Sequence, residues 1–313
     1  MEKKELRNVL NEKVKVSIVD CEKDADFITH SGTFHADEVM ATVFLLNCYD
    51  EINLYRTNEV NNTDAFCYDV GFGLYDHHQS DFDKVRDNGI KYASCGLVWD
   101  KVYKEIANKI NIDEVYLKDV IENNLVMDID RDDNGQKIEL NPNIKVQSIP
   151  NLIASFNPNW DDEKNENECF LNALEFANTI FNNIISNVIS KIHAKDIVEK
   201  AIEESNDKIL ILDRYMPWKD IVLQSKNKKA SDILYAVFPS KRGGYNVVAT
   251  PIEVGSFDVK KPFPNIWAGK SKDELRKITG IKTFNFCHKN LFICACDTFK
   301  DALEIAQISI KNE

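Results

Sequence analysis

The 313-residue chain has no apolar run approaching the roughly eighteen residues that a membrane-spanning helix needs, which excludes a membrane-embedded protein. Basic residues are in deficit. Lys and Arg number 39 against 51 Asp and Glu, a formal net charge of −12, so a broad electrostatic grip on duplex DNA is excluded unless a local site reverses the field. The eight cysteines include no C-x-x-C pair, which removes both a zinc-ribbon spacing and a dense disulfide framework and fits reduced thiols. The segment Met1-Glu2-Lys3-Lys4-Glu5 lacks the apolar centre of a signal peptide, and a cytoplasmic location is expected. Proline is missing before Pro142, and all eight prolines fall at or after it, so the two halves differ in architecture.

Apolar residues make up 43% and aromatic residues 10% of the chain, enough for a sizeable core. In the first half short β-rich runs alternate with helical patterns: Asp26-Phe27-Ile28-Thr29, an apolar stretch over Val39 to Leu46, Asn53-Leu54-Tyr55-Arg56, then Ala65 to Val70. Such alternation predicts an α/β layer with a largely parallel sheet flanked by helices. Residues 93 to 126 read as two helices broken at Asn108 to Asp113, and 166 to 204 as one long helix. From about residue 205 the texture becomes that of a smaller α+β domain. Strands are expected at Ile209 to Leu212, Ile233 to Val237, Val247 to Ala249, Phe284 to Phe286 and Leu291 to Ile293, with helices at Lys272 to Ile278 and Thr298 to Ile310. The expected domains are therefore 1–204 and 205–313.

Histidine is scarce, and its placement carries the chemistry. Of six histidines, His30, His35, His77 and His78 lie in the first 78 residues. His30-Ser31-Gly32-Thr33-Phe34-His35-Ala36-Asp37-Glu38 follows one strand pattern; Tyr68-Asp69-Val70-Gly71, leading to Tyr75-Asp76-His77-His78-Gln79, follows another. Ligands of open α/β sheets bind at the carboxyl edge of the strands. Taken singly these residues have ordinary explanations: Asp37 can cap the helix it begins and Glu38 can complement the helix dipole. Taken together with Asp130 in Met127-Asp128-Ile129-Asp130-Arg131-Asp132-Asp133, they ask for a cation, because buried carboxylates need a partner.

Mixed imidazole and carboxylate donors without thiolate suit Mn²⁺ first, then Fe²⁺, Co²⁺, Zn²⁺ or Mg²⁺. Six candidates, His30, His35, Asp37, Asp69, His77 and Asp130, suit two divalent ions sharing Asp69 as a bridge, the arrangement that clamps an in-line phosphoryl displacement. Three aspartates against two divalent ions leave such a pocket about one unit positive, so it can attract phosphate although the whole chain is acidic.

These blocks, with Ala93-Ser94-Cys95-Gly96-Leu97-Val98-Trp99, Asp130 through Asp133-Asn134-Gly135, Asn157-Pro158-Asn159-Trp160, Pro217-Trp218, Pro262-Phe263-Pro264 and Phe286 with His288, resemble the melanocyte proliferating gene family, which is placed with the DHH phosphoesterases. The resemblance covers nearly the whole chain. It implies a DHH-like fold with a smaller carboxyl-terminal domain, and a metal-dependent 3′-to-5′ exonuclease acting on RNA. Position by position, His30, His35, Asp37, Asp69, His77 and Asp130 fall where the superfamily's metal ligands stand, and His78 where a histidine faces the phosphate. Two departures are visible: Gly71 to Tyr75 is shorter than the usual glycine-rich stretch, and Leu291 stands where glycine is common.

The expected reaction is hydrolysis of a phosphodiester in single-stranded RNA or a short oligonucleotide, with Asp76 and His78 as the catalytic pair. Hydrolysis of a dinucleotide or pyrophosphate shares the same metal site, and a non-catalytic protein keeping the fold is a third reading; a homodimer is left open. In the carboxyl-terminal domain Lys241, Arg242 and His288 are candidate substrate contacts, although Lys241-Arg242-Gly243-Gly244 also reads as a solvated hairpin turn. Phe263, Trp267 and Tyr245 read either as base-stacking groups or as a core edge, and His193 as structural.

Overall fold

A computed structural model describes residues 15–61, 63–137 and 146–312. The segment beginning at Met1 and the first proline, Pro142, lie outside the described residues. The chain forms two compact units, Met1–Val188 and Ile189–Glu313, and the division falls within the long helix Glu166–Glu204.

In the first unit β1 (Val16–Ile18), β2 (Phe27–Thr29), β3 (Ile52–Arg56) and β4 (Phe66–Cys67) pair in the order β1-β3-β2-β4, every pair parallel. This is the parallel sheet that the alternating pattern predicts. Between β2 and β3 runs α1 (Ala36–Leu46), buried from Ala36 through Leu45; beyond the acidic pair Asp37-Glu38 it is apolar nearly all round, as a helix inside the protein must be. It packs on α2 (Ser94–Lys109), whose buried Leu97, Val98, Trp99, Val102 and Ile106 recur at helical spacing. Phe44 of α1, Trp99 of α2 and Phe181 of the long helix interlock, with ring centroids 4.9–6.3 Å apart.

The next helix, α3 (Glu114–Ile121), starts where the Asp113 side chain accepts the Tyr116 N–H at 2.8 Å. It does not stop near residue 126 as expected. The backbone stays helical through a π turn at Glu122–Val126 and continues as α4 (Met127–Asp133), so the aspartate-rich segment is helix rather than loop. A short α5 (Ile149–Ala154), capped by Ser148, precedes α6 (Glu166–Glu204).

In the second unit β5 (Ile209–Ile211), β6 (Tyr235–Pro239), β7 (Tyr245–Ala249), β8 (Phe284–Cys287) and β9 (Ile293–Cys296) form a mixed sheet ordered β5-β6-β7-β9-β8. Only β5 and β6 pair in parallel; the rest are antiparallel. Alternate residues feed separate cores. Tyr235, Val237, Val247 and Ala249 pack with α8 (Lys272–Thr279) and α9 (Phe299–Lys311), while Ala236, Phe238 and Val248 pack with Val198 and Ile202 of α6 and with Trp218 near α7 (Lys219–Gln224). Phe263 and Trp267 are both buried in the first of these cores, which is the core-edge reading of them. Strand β9 begins two residues later than the sequence suggests because Leu291 adopts φ 58° and closes a turn by donating its N–H to the His288 carbonyl at 2.8 Å.

Candidate metal centre

Because β2 and β4 are adjacent and parallel, the residues just beyond their carboxyl ends share one edge of the sheet. His30 follows β2 directly; Asp69 follows β4 by one residue, in a left-handed backbone conformation (φ 56°) secured by an N–H bond to the Tyr75 carbonyl at 3.1 Å. The His30 Nε2 lies 3.4 Å from Asp69 Oδ2 and 2.8 Å from Glu38 Oε1. Asp69 Oδ1 lies 3.6 Å from His77 Nδ1 and 3.5 Å from His78 Nδ1. Two strand ends and one helix start therefore converge, as the sequence pattern suggests.

The third contribution comes from the start of α2. No local side chain caps it, and its orphan amides are served instead by carboxylates distant in sequence. Asp37 accepts from Ser94 N at 3.1 Å and Cys95 N at 2.6 Å, and Asp130 accepts from Gly96 N at 2.9 Å. Asp37 thus serves a neighbouring helix, whereas Glu38 caps α1 by accepting the His35 N–H at 3.0 Å. The Ser94 hydroxyl lies 3.2 Å from both Asp69 Oδ1 and His77 Nδ1.

Asp130 and Asp133 have different surroundings. Asp130, fully buried, is held by Arg86 at 2.6 Å, and Arg86 also pairs with Glu122. Asp133, one helical turn on, sits 2.9 Å from His77 Nε2. Sequence reading did not select Asp133. The signal was present in Asp130-Arg131-Asp132-Asp133, where i and i+3 share a helix face, but only a helical reading of that segment separates the two aspartates. Glu38, Ser94 and Arg86 were likewise outside the candidate set.

Asp76 plays an orienting part. Its Oδ1 accepts from both the backbone N–H and the Nδ1 of His78, at 3.0 and 2.8 Å, and its Oδ2 from Phe72 N at 2.7 Å. That arrangement leaves the outer nitrogen of His78, a side chain 56% exposed, free toward solvent. His35 lies beside His30, ring centroids 5.7 Å apart.

The electrostatics are those of a site short of cations. Burial pushes the Asp37 carboxyl well above the usual range, reinforced by repulsion from Asp69, Asp133 and Asp130. Burial also raises Glu38, against the pull of His30. Asp130 is pushed up to about 7 by burial, with Arg86 opposing. Burial disfavours the His30 imidazolium, yet its bonds to Asp69 and Glu38 prevail and raise it to about 11; His77 is raised in the same way, chiefly through Asp133. The carboxylates gather more negative charge than the neighbouring side chains neutralise.

Donor geometry matches that need. Asp37, His77 and Asp133 offer ligand atoms within 4.8 Å of one another, as do His30, His35 and Glu38, and Asp69, Asp76, His77 and His78. These clusters of Asp, Glu and His can bind metal ions. Cys95 joins Asp37 and Asp130 in another such group, and burial, with repulsion from Asp130 and Asp37, pushes its thiol well above the ordinary value.

Residues 26–310 match the family model MYG1_exonuc, described as Uncharacterised protein family (UPF0160). The chain belongs to this family. A MYG1 protein of Dictyostelium discoideum is 30% identical over 90% of this chain and 95% of its own length, and one from Schizosaccharomyces pombe is 29% identical over 89% and 95%. A human protein named MYG1 exonuclease is 25% identical over 90% of this chain and 85% of its own length. No solved structure matches the chain. The family assignment agrees with the resemblance carried by the His30–Glu38 and Asp76–His78 blocks.

The candidates of the second unit are not brought together. Lys241 and Arg242 are exposed on the β6–β7 turn, and His288 is on the β8–β9 turn. Tyr245, at the start of β7, pairs with Cys296 at the end of β9, while Val248 pairs with Ile293 at its start, so the two turns stand at opposite ends of the sheet. His288 Nδ1 accepts from Asn290 N at 3.0 Å, and its ring packs on Phe292. Among the described residues no helix is long and apolar enough to cross a membrane.

Proposed function

We propose that this chain is a metal-dependent phosphodiesterase, a 3′-to-5′ exonuclease of RNA or short oligonucleotides. The observation that carries the reading is the meeting of His30, Asp37, Asp69, His77 and Asp133 at the carboxyl edge of a parallel sheet, with more buried carboxylate than local cation. The name of the human relative, MYG1 exonuclease, points the same way.

In this reading two divalent ions, Mn²⁺ first, are held by His30, Asp37, Asp69, His77 and Asp133, with His35 and Glu38 beside them; when bound they supply a water of lowered pKa and neutralise phosphate charge. Asp69 faces both His30 and His77 and would be available to an ion on either side. Asp130 is the support beneath: its bonds to Arg86 and Gly96 fix the start of α2, which in turn fixes Asp37. Asp76 holds the Nδ1 of His78, so that the opposite ring nitrogen faces the substrate phosphate and donates a proton to it or to the leaving oxygen. Lys241 and Arg242, and separately His288, are the substrate contacts proposed for the second unit.

The test is a Mn²⁺-supplemented assay comparing a single-stranded RNA oligomer labelled at either end, a dinucleotide and pyrophosphate, with elemental analysis of the purified protein. Hydrolysis of the RNA from its 3′ end, lost in Asp69→Ala while the circular dichroism spectrum is kept, is the expected result. Normal turnover by Asp69→Ala, or a purified protein that neither holds metal nor is activated by it, refutes the proposal.

A further inference from the structure

The short loop between Asp69 and Asp76 exposes apolar side chains where the fold has no use for them. Phe72 is 71% exposed and Leu74 85%. Their neighbour Tyr75 is packed, stacked on Phe66 at 4.4 Å, but no aromatic ring lies against Phe72 among the described residues. Phe72 also adopts φ 55°, a left-handed conformation that a bulky side chain resists. A polar residue or glycine would fill this position more cheaply on both counts. The strained backbone is held by a bond from Phe72 N to Asp76 Oδ2 at 2.7 Å, while the other oxygen of that carboxylate holds His78. One side chain thus fixes both the exposed phenyl group and the exposed imidazole.

We propose that Phe72 is a substrate-positioning residue, a platform on which a nucleobase stacks while the adjoining phosphate faces His78. This rests on the nuclease reading and deepens it: the loop would make the site select phosphodiesters that carry a base over those that do not. An aromatic face suits this task because every base has a π surface, so stacking is tolerant of sequence.

The experiment measures binding by fluorescence anisotropy, and KM and kcat separately, for a six-nucleotide RNA and for a ribose-phosphate hexamer of the same length lacking all bases. The full-length proteins compared are wild type, Phe72→Ala, Phe72→Leu and Phe72→Trp. The expected result is a roughly five- to hundredfold loss of RNA affinity in Phe72→Ala, seen in KM with kcat little changed, an equal loss in Phe72→Leu, retention in Phe72→Trp, and no change for the base-free hexamer. Equal affinity of wild type and Phe72→Ala for RNA overturns the proposal and leaves the nuclease reading intact, as does rescue by leucine, which indicates a general apolar contact such as a protein partner. Failure of the wild type to bind or cleave RNA overturns both.

Discussion

Replacing Gly96 by alanine should destabilise the first unit through a collision that the coordinates locate. A Cβ on Gly96 would lie 2.1 Å from Asp130 Oδ2, 2.6 Å from Arg86 Nη2 and 2.9 Å from Tyr92 Cδ1. The first distance falls more than an ångström short of ordinary contact, and all three neighbours belong to packed or ion-paired groups. Three effects compete. Alanine gains at most about 1 kcal/mol over glycine, the value for a helix interior, whereas Gly96 stands in the first turn. Overpacking costs about 1–3 kcal/mol, and separating a buried ion pair about 3–5 kcal/mol. The two costs describe one displacement and do not add, so the net loss is about 2–4 kcal/mol. For a unit of this size that corresponds to a fall in melting temperature of about 5–15 °C. Differential scanning fluorimetry with near-ultraviolet circular dichroism on the full chain reads it. In an Asp130→Ala background the same substitution should cost less, because the atom struck first is gone. A Gly96→Ala variant that melts within about 1 °C of wild type refutes the claim that α2 must approach Asp130 so closely that no side chain fits.

Other outcomes follow from the same geometry. The raised carboxyls of Asp37, Glu38 and Asp130 and the raised His30 imidazole mean that the folded metal-free protein holds protons its unfolded chain would release. Their stabilisation is lost as pH rises: for Asp130 between the ordinary carboxyl value, about 4, and about 7, for His30 between about 6.5 and about 11. The melting-temperature gap between Mn²⁺-loaded and chelator-treated protein should therefore widen from pH 6 to pH 8.5, and a constant gap argues against it. Asp76→Ala should lower kcat about ten- to a hundredfold by freeing His78, with its metal content unchanged on elemental analysis. Leu291→Gly relieves a left-handed backbone worth about 1 kcal/mol but empties a core position that is 8% exposed, typically worth about 2–5 kcal/mol. Its urea midpoint should therefore fall, and a rise would mean that strain outweighs packing.

Much of this was legible in the residues because it is local. Period-two and period-3.6 patterns gave β2, β3, α1, α2 and the long α6, and the histidine-rich segments stood at strand ends because parallel neighbours share an edge. What could not be read was set by distant partners. Asp37 begins a helix and looks like its cap, yet it serves Ser94 and Cys95. Asp130 and Asp133 are equivalent as letters in an acidic run and differ only because Arg86 occupies one of them and His77 faces the other. Strand β1 is too short for periodicity to register, and β9 was displaced by a turn whose left-handed residue is a leucine rather than a glycine. The family departure at Leu291 coincides with a site where φ itself explains a preference for glycine.

The π turn at Glu122–Val126 has a consequence for how one arginine reaches two carboxylates. Glu122 and Asp130 are eight residues apart, and in an ordinary α-helix that interval overshoots two full turns by about 80°, enough to aim them at different neighbours. The wider loop of backbone absorbs one residue's worth of rotation, so the interval counts as seven and both acids fall in line along Arg86. Straightening that turn into plain α-helix with every residue kept would swing the downstream aspartates out of phase with everything they face. Excising a single residue there would instead leave an unblemished helix with both acids still in line.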